Sequence, residues 1–404
     1  MNVLTQAASH TSLKIERVDT FILQLPLADQ TFYSSQAAFP IRNSLLVRIT
    51  AEGGLVGWGE GGQYGPAEPV AACIDHVLAP KILGKPVSSP IKTSEELYAF
   101  SRDFGQKGTY VEALSAIDIA LWDLWGQVLG VPVSELLGGA FRSEVTAYAT
   151  GCYYPESFKN YDALLEALEA EASTYASAGF SALKVKIGLL SVEQDAERLA
   201  VVRNAIGPDK KILVDANHAY NAATAIRMAR ELERFDVRFF EEPVVPEDRA
   251  GYRRVRDATD VPIAGGEAEF TRFGFRDLFV GECIDIAQPD VCCCGGFSEY
   301  LKIQALASTF GVRVIPHVWG SGVAVAAALQ AIATIPPLPH TANPVALQNE
   351  PVVEYDRKHN PLRDDLLESN FSLKDGRLAV PTGPGLGVTV DEDVLNKFAK
   401  KVSK

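Results

Sequence analysis

Seven short apolar runs, VTAYAT, ALKVKIG, KILVDAN, VRFFEEP, PIAGGE, CIDIAQPD and RVIPH, follow one another between about Val145 and His317. Helical stretches separate them, such as SVEQDAERLAVVRNAIG, which opens with a Ser-x-x-Gln capping box. Strand alternating with helix predicts a parallel sheet with crossover helices, and seven such strands in about 175 residues favour closure into a barrel over an open sheet. Each run is apolar until its C-terminal end. There it gives Lys184 and Lys186, Asp215 with Asn217, Glu241, Glu267, Asp290 and His317, at intervals from Lys186 of 29, 26, 26, 23 and 27 residues. All C-terminal strand ends of such a barrel open on one face, so a charged residue at each marks that face as a site.

The rest of the chain has a different rhythm. LKIERVDTFIL and NSLLVRITAEGGLVGWGE read as strands with a Gly-Gly turn, ADQTFYSSQAAFP between them as a loop, and Glu68 to Gly130 as helices. Strands followed by helices predict an α+β domain over 13–140, before a barrel over 141–350. Residues 1–12 are expected to be a flexible tail. Residues 351–404, with two short strands around Asp375-Gly376 and a Pro-Gly-rich turn, are expected to fold back on the first domain.

Composition removes several classes of function. With 38 Lys+Arg against 51 Asp+Glu, a net charge of −13 and no basic cluster, nucleic-acid binding is not expected. Six unevenly spaced cysteines form no disulfide framework, which fits a reducing, cytoplasmic setting, and the segment before Lys14 lacks the features of an export signal. The uncharged run Ser321 to Ile335 resembles membrane in hydropathy. About 15 residues make roughly 22 Å of helix, short of the roughly 30 Å of a bilayer core, so a buried helix is expected instead.

Asp215, Glu241 and Glu267 end three successive strands, where three negative charges side by side repel unless a cation neutralises them. Oxygen ligands without His or Cys suit a hard divalent ion, and open positions for water and substrate suit Mg²⁺. Three separate ion pairs are the ordinary alternative. Lys184 and Lys186, two apart in a strand, face the same way, and mutual repulsion with partial burial is expected to lower their pKa values toward use as a base. A solvated strand edge is the plainer reading of two lysines taken alone. Asp290 beside His317 fixes the imidazole tautomer and raises its basicity. A metal at one edge with bases to either side is what removal of a proton α to a carboxylate requires.

Lys-x-Lys, Asp-x-Asn, Glu-Glu-Pro, Gly-Glu, Pro-Asp and His in this order resemble the mandelate racemase group of the enolase superfamily, from about Leu13 to Leu395. The resemblance implies a (β/α)7β barrel capped by the first domain, which the C-terminal tail completes, with loops of about 28–39 and 59–66 closing over substrate. It implies one Mg²⁺ per subunit on Asp215, Glu241 and Glu267, Lys186 as one base with Lys184 polarising the substrate carboxylate, and His317 with Asp290 as the opposite base or acid. Glu354 in VVEYD matches the group's late glutamate at the eighth strand. Ala268 stands where the group usually has Asn. FEEPVVPE, DANHAY, QPDVCCCGGFSE and PHVWGSG look most like members that open a sugar-acid lactone by β-elimination, with dehydration of an open-chain aldonate or aldarate as the alternative. A homo-oligomer is implied on the same grounds.

Tyr153, His218 and Trp319, near strand ends, are candidate pocket walls together with Asn217, although large aromatics there are as readily plain core. Gly57 to Gly62 satisfies G-x-G-x-x-G as a string, but no βαβ unit surrounds it. Cys292, Cys293 and Cys294 are consecutive and cannot converge on zinc as paired C-x-x-C motifs do, so they read as packing residues. Two further classes keep the barrel but change the chemistry: a Schiff-base aldolase using Lys184 or Lys186 without metal, and a non-catalytic sugar-acid binding protein.

Overall fold

The computed structural model describes residues 13–62, 65–156 and 160–400. The expected tail over 1–12 lies outside them, as do residues 63 and 64 of the second expected loop.

The N-terminal part is a three-stranded antiparallel sheet, Ile15–Pro26, Ile41–Ala51 and Val56–Gly61, laid against the long helix Thr109–Leu129. Gly57, Gly59 and Gly61 share one face of the last strand, and a Cβ on each would come within 2.4 Å of the backbone oxygens of Ala120, Ala116 and Glu112. The string that resembles a phosphate-binding motif is therefore a packing seam, in which only glycine lets sheet and helix approach so closely.

The second part contains eight parallel strands: Glu144–Gly151, Ala182–Lys186, Lys211–Asp215, Val237–Glu241, Ile263–Gly265, Ile286–Ala287, Arg313–Val314 and Val353–Asp356. The first seven neighbour one another in chain order, and the eighth pairs with the first. Seven helices alternate with them, from Tyr161–Ser177 to Gly322–Ala333, giving a (β/α)7β barrel. The capping box before the second of these forms as its sequence predicts, Ser191 accepting from Gln194 N and Gln194 from Ser191 N. Tyr148, Ala182, Leu213, Phe239, Ala264, Ile286, Ile315 and Val352, one from each strand or its immediate flank, form a largely apolar plug inside the ring. Helix Gly322–Ala333 is buried at all twelve positions, and no helix of the described residues is long and apolar enough to cross a membrane.

Two expectations change. ADQTFYSSQAAFP is not irregular throughout: Phe32–Tyr33 pairs with Ala38–Phe39 and, on its other side, with Tyr154–Pro155 beyond the first barrel strand. Two-residue strands are too short to show periodicity, so this pairing has no sequence signal. Of the two strands expected around Asp375-Gly376, Arg377–Ala379 forms and pairs with the first barrel strand rather than with the cap. The chain then reaches the cap, where Leu386 N donates to Asp123 (2.7 Å) and Lys400 N to Ile22 O (2.7 Å).

Candidate active site

Counting two residues onward from the apolar plug gives Thr150, Lys184, Asp215, Glu241, Gln288, His317 and Glu354, a layer that changes abruptly from apolar to polar. Alternation along a strand keeps residues two apart on one face, so this layer points into the same space as the plug, one step nearer the mouth. Glu267 joins it just after Gly266, whose φ of +117° turns the chain inward. Another two residues give Lys186, Asn217, Asp290, Trp319 and Asp356. Lys184, Lys186, Asp215, Glu241 and Glu354 lie within strands, whereas Glu267, Asp290 and His317 lie just past theirs. The charged residues are all at least nine-tenths buried, and the segment 27–40, the expected lid, packs beside them through Ser35 Oγ, which donates to Ala216 O, and through Phe32 and Phe39 against Tyr153 and Trp319.

Asp215, Glu241 and Glu267 each offer a carboxylate oxygen, and the three lie within 4.8 Å of one another. Glu267 Oε2 is buried without a hydrogen-bond partner. Glu354 adds a further carboxylate 2.8 Å from Lys184 Nζ. Burial would raise Asp215, but Lys186 and Lys184 hold it well below the usual carboxylate range. Burial and the nearby Asp215 push Glu241 up to about 8 against the pull of Lys184. Glu354 is held down at about 2, because Lys184 and His317 outweigh the effect of its burial. Five carboxylates, counting Asp290, thus face two ammonium groups and one imidazole. Oxygen donors, mutual distance and charge all fit a hard divalent cation.

The lysines depart from expectation. Burial does pull them down, yet Glu241 and Glu354 raise Lys184 well above its ordinary value and Asp215 raises Lys186. Lys184 Nζ lies 2.8 Å from Glu241 and 3.7 Å from Asp215, and Lys186 forms a short ion pair with Asp215. Attraction to carboxylates therefore exceeds repulsion between the ammonium groups. A cation sharing those carboxylates would weaken the attraction and return Lys186 toward a base.

His317 Nδ1 lies 2.7 Å from Asp290 Oδ2, and Nε2 lies 3.4 Å from Glu267 and 3.9 Å from Glu354. Burial pulls the imidazole down, but Glu267 and the Asp290 hydrogen bond lift it to about 9. Asp290 also accepts from Cys292 N at 2.7 Å, so the triple-cysteine turn orients the carboxylate through its backbone, while the thiols are buried packing. With the second barrel strand carrying Lys186 and the seventh leading to His317, the two groups flank the triad on strands three to five from opposite sides.

Asn217 N donates to Asp215 (2.8 Å) while its Oδ1 is buried without a partner. Asn217, His218 and Glu242 all take positive φ (41°, 65° and 45°), backbone strain gathered beside two of the triad carboxylates. His218 Nε2 lies 3.2 Å from Glu242. Tyr153 and Trp319 are brought together as ring neighbours (6.2 Å between centres), walled by Phe32 and Phe39 of the lid. Sequence reasoning missed Gln288, fully buried with both amide atoms unpartnered, and the cap residues Arg42 and Glu60. Gln288 stands two before Asp290, so the period of two could have found it. Arg42 and Glu60 come from strands whose facing partner is set only by how cap and barrel dock.

Residues 167–394 match the enolase C-terminal domain-like family and residues 26–138 the N-terminal domain of the mandelate racemase and muconate lactonizing enzyme family. The chain is 42% identical over 386 residues to D-galactarolactone cycloisomerase of Agrobacterium fabrum, covering 96% of this chain and 99% of that one. It is 35% identical over 353 residues to arabinonate dehydratase of Saccharolobus solfataricus, covering 87% and 90%. The crystal structure of 3,6-anhydro-D-galactonate cycloisomerase from Zobellia galactanivorans superposes with a TM-score of 0.84 at 41% identity, covering 96% of this chain and all of that one.

Proposed function

Because the chain belongs to the mandelate racemase and muconate lactonizing enzyme group of the enolase superfamily, we propose that it opens a sugar-acid lactone by β-elimination, giving a 3-deoxy-2-keto aldarate. The observation that carries this reading is the pair of acid/base groups, Lys186 and His317, set on opposite sides of a buried triad of carboxylates.

Asp215, Glu241 and Glu267 would hold one Mg²⁺ per subunit, which when bound offsets the charge that develops on the substrate carboxylate as its α-proton leaves. Lys186 or His317 takes that proton. Asp290 keeps His317 in the tautomer whose Nε2 faces the mouth, and Lys184 with Glu354 fixes the charge beneath the substrate. Asn217, His218, Tyr153 and Trp319 line the space above. Electron density from the broken C–H bond then expels the ring oxygen at the β position, and the enol tautomerises to the keto acid. In this reading residues 13–140 cap the site, 141–350 carry it and 351–404 complete the cap. The working form is a cytoplasmic homo-oligomer acting on small molecules.

A dehydratase acting on an open-chain sugar acid is the second reading, favoured by the likeness to arabinonate dehydratase. Incubating the Mg²⁺-supplemented protein with D-galactaro-1,4-lactone and, in parallel, with galactarate and a panel of aldonates separates the two. Keto acid from the lactone and EDTA-sensitive turnover are expected. Keto acid from open-chain acids alone would replace it with dehydration.

A further inference from the structure

Arg42 stands at the start of the cap strand that follows the lid, and it is only 3% exposed. Its Nη2 donates to Asp356 Oδ2 at 2.8 Å, and its guanidinium carbon lies 4.6 Å from the Trp319 ring centre and 5.1 Å from that of Phe32. The group is thereby fixed in position, yet Nε and Nη1 are buried without any hydrogen-bond partner. Asp356 has a second cation, Arg363, 3.1 Å away, so its charge does not depend on Arg42 alone. A buried guanidinium with two unused donors is costly unless those donors meet an acceptor.

The order of strands says where that acceptor would be. In a ring of eight, the fourth strand, bearing Glu241, faces the eighth, bearing Glu354 and Asp356. Asp356 lies two residues beyond Glu354, roughly 6.6 Å farther toward the mouth. A substrate with its carboxylate at the triad and its α-carbon between Lys186 and His317 therefore extends its far end toward the eighth strand. Tyr153 lies along the way. Its ring centre is 5.3 Å from Lys186 Nζ and 4.5 Å from the Phe32 ring centre, and its hydroxyl is likewise buried without a partner.

We propose that Arg42 receives the carboxylate released when the lactone opens, an inference that rests on the lactone reading above. In that step the base takes the α-proton, the C–H pair becomes the new C=C bond, and the β C–O bond breaks with its pair remaining on the ring oxygen. That oxygen, already acylated, becomes part of a free carboxylate, so no water, oxidant or second substrate enters. Arginine stays protonated at any working pH, which makes it a poor proton donor to a departing hydroxide. It is well suited to a departing carboxylate, which needs charge and paired donors rather than a proton.

The test follows lactone in D₂O with Mg²⁺ by proton NMR, reading ring opening and α-deuteration of unreacted lactone separately. Arg42→Met should lower ring opening by about 10²–10³-fold, the loss typical of one donor to a developing oxyanion, while α-deuteration of the lactone persists. Arg42→Lys should recover part of the opening. Asp356→Asn, which removes the cap-to-barrel ion pair but keeps the guanidinium, should slow opening less than Arg42→Met does. If Arg42→Met lowers deuteration and opening equally, or Asp356→Asn matches it, Arg42 is a latch and the proposal is overturned although lactone opening stands. Should the Met variant not fold, equal loss of both readouts in the Lys variant overturns it just as well. If the unaltered protein neither deuterates nor opens the lactone, the functional reading itself fails and takes the proposal with it.

Discussion

His317 and Lys186 reach the same space from the seventh and second strands, so each is expected to be needed for its own face of the α-carbon. His317→Asn and Lys186→Met should each lower kcat by about 10²–10⁴-fold, the usual contribution of a positioned acid or base, measured on protein that is still folded at the assay temperature. Steady-state rates with a melting curve check this, and a variant that keeps full activity removes its residue from the mechanism. Glu60 permits a different test. It accepts from Ser44 Oγ (2.7 Å), Ser321 N (3.0 Å) and Ala324 N (3.0 Å), joining the cap to the start of helix Gly322–Ala333. Burial lifts it from 4.5 to about 7 despite those donors. Between those values the unfolded chain releases a proton that the folded chain retains, so stability falls as pH rises through the window and levels off above it. Glu60→Gln removes this contribution, worth at most roughly 3 kcal/mol. The melting temperature of the variant should therefore gain on the native protein from pH 4.5 to 7 and no further. A constant difference would contradict the assignment.

Among the elements, the barrel strands were the most legible in sequence, because an apolar run ending in a charge needs no partner to be read. The triad, both lysines and the Asp290–His317 pair emerged from that pattern alone. Glu354 came only through resemblance, since the long uncharged stretch before it hides the period. The lid was illegible for a physical reason. Its two-residue strands are held by pairing with Tyr154–Pro155 and by Ser35 Oγ donating to Ala216 O (2.5 Å), contacts more than a hundred residues distant in the chain. Gly188 shows how tightly the lid sits: at φ +100°, a Cβ there would be 2.4 Å from Ala219 Cβ and 3.3 Å from Ser35 Cβ. Gly188→Ala should cost about 1–3 kcal/mol and raise KM by loosening the lid, read from a melting curve and saturation kinetics. An unchanged KM would separate lid docking from substrate closure.

For the whole molecule, folding brings together like charges that the chain keeps apart, Asp215, Glu241 and Glu267 lying within 4.8 Å of one another, an arrangement that a bound divalent ion would favour. Mg²⁺ should raise the melting temperature of the EDTA-treated protein, since an ion bound at a hundred times its Kd adds about 2.7 kcal/mol. Asp215→Asn should weaken that response, and an equal response in the variant would place the ion elsewhere. Cap and barrel are also joined across their interface by Arg42–Asp356 and Glu60–Ser321. Proton removal from a carbon α to a carboxylate over the triad can be followed by proton NMR of D-galactaro-1,4-lactone in D₂O with Mg²⁺. Loss of the α-proton signal and a keto acid whose new methylene carries one solvent deuteron are expected, both abolished by EDTA. A keto acid formed without deuterium, or at an undiminished rate in EDTA, would contradict proton removal over the triad.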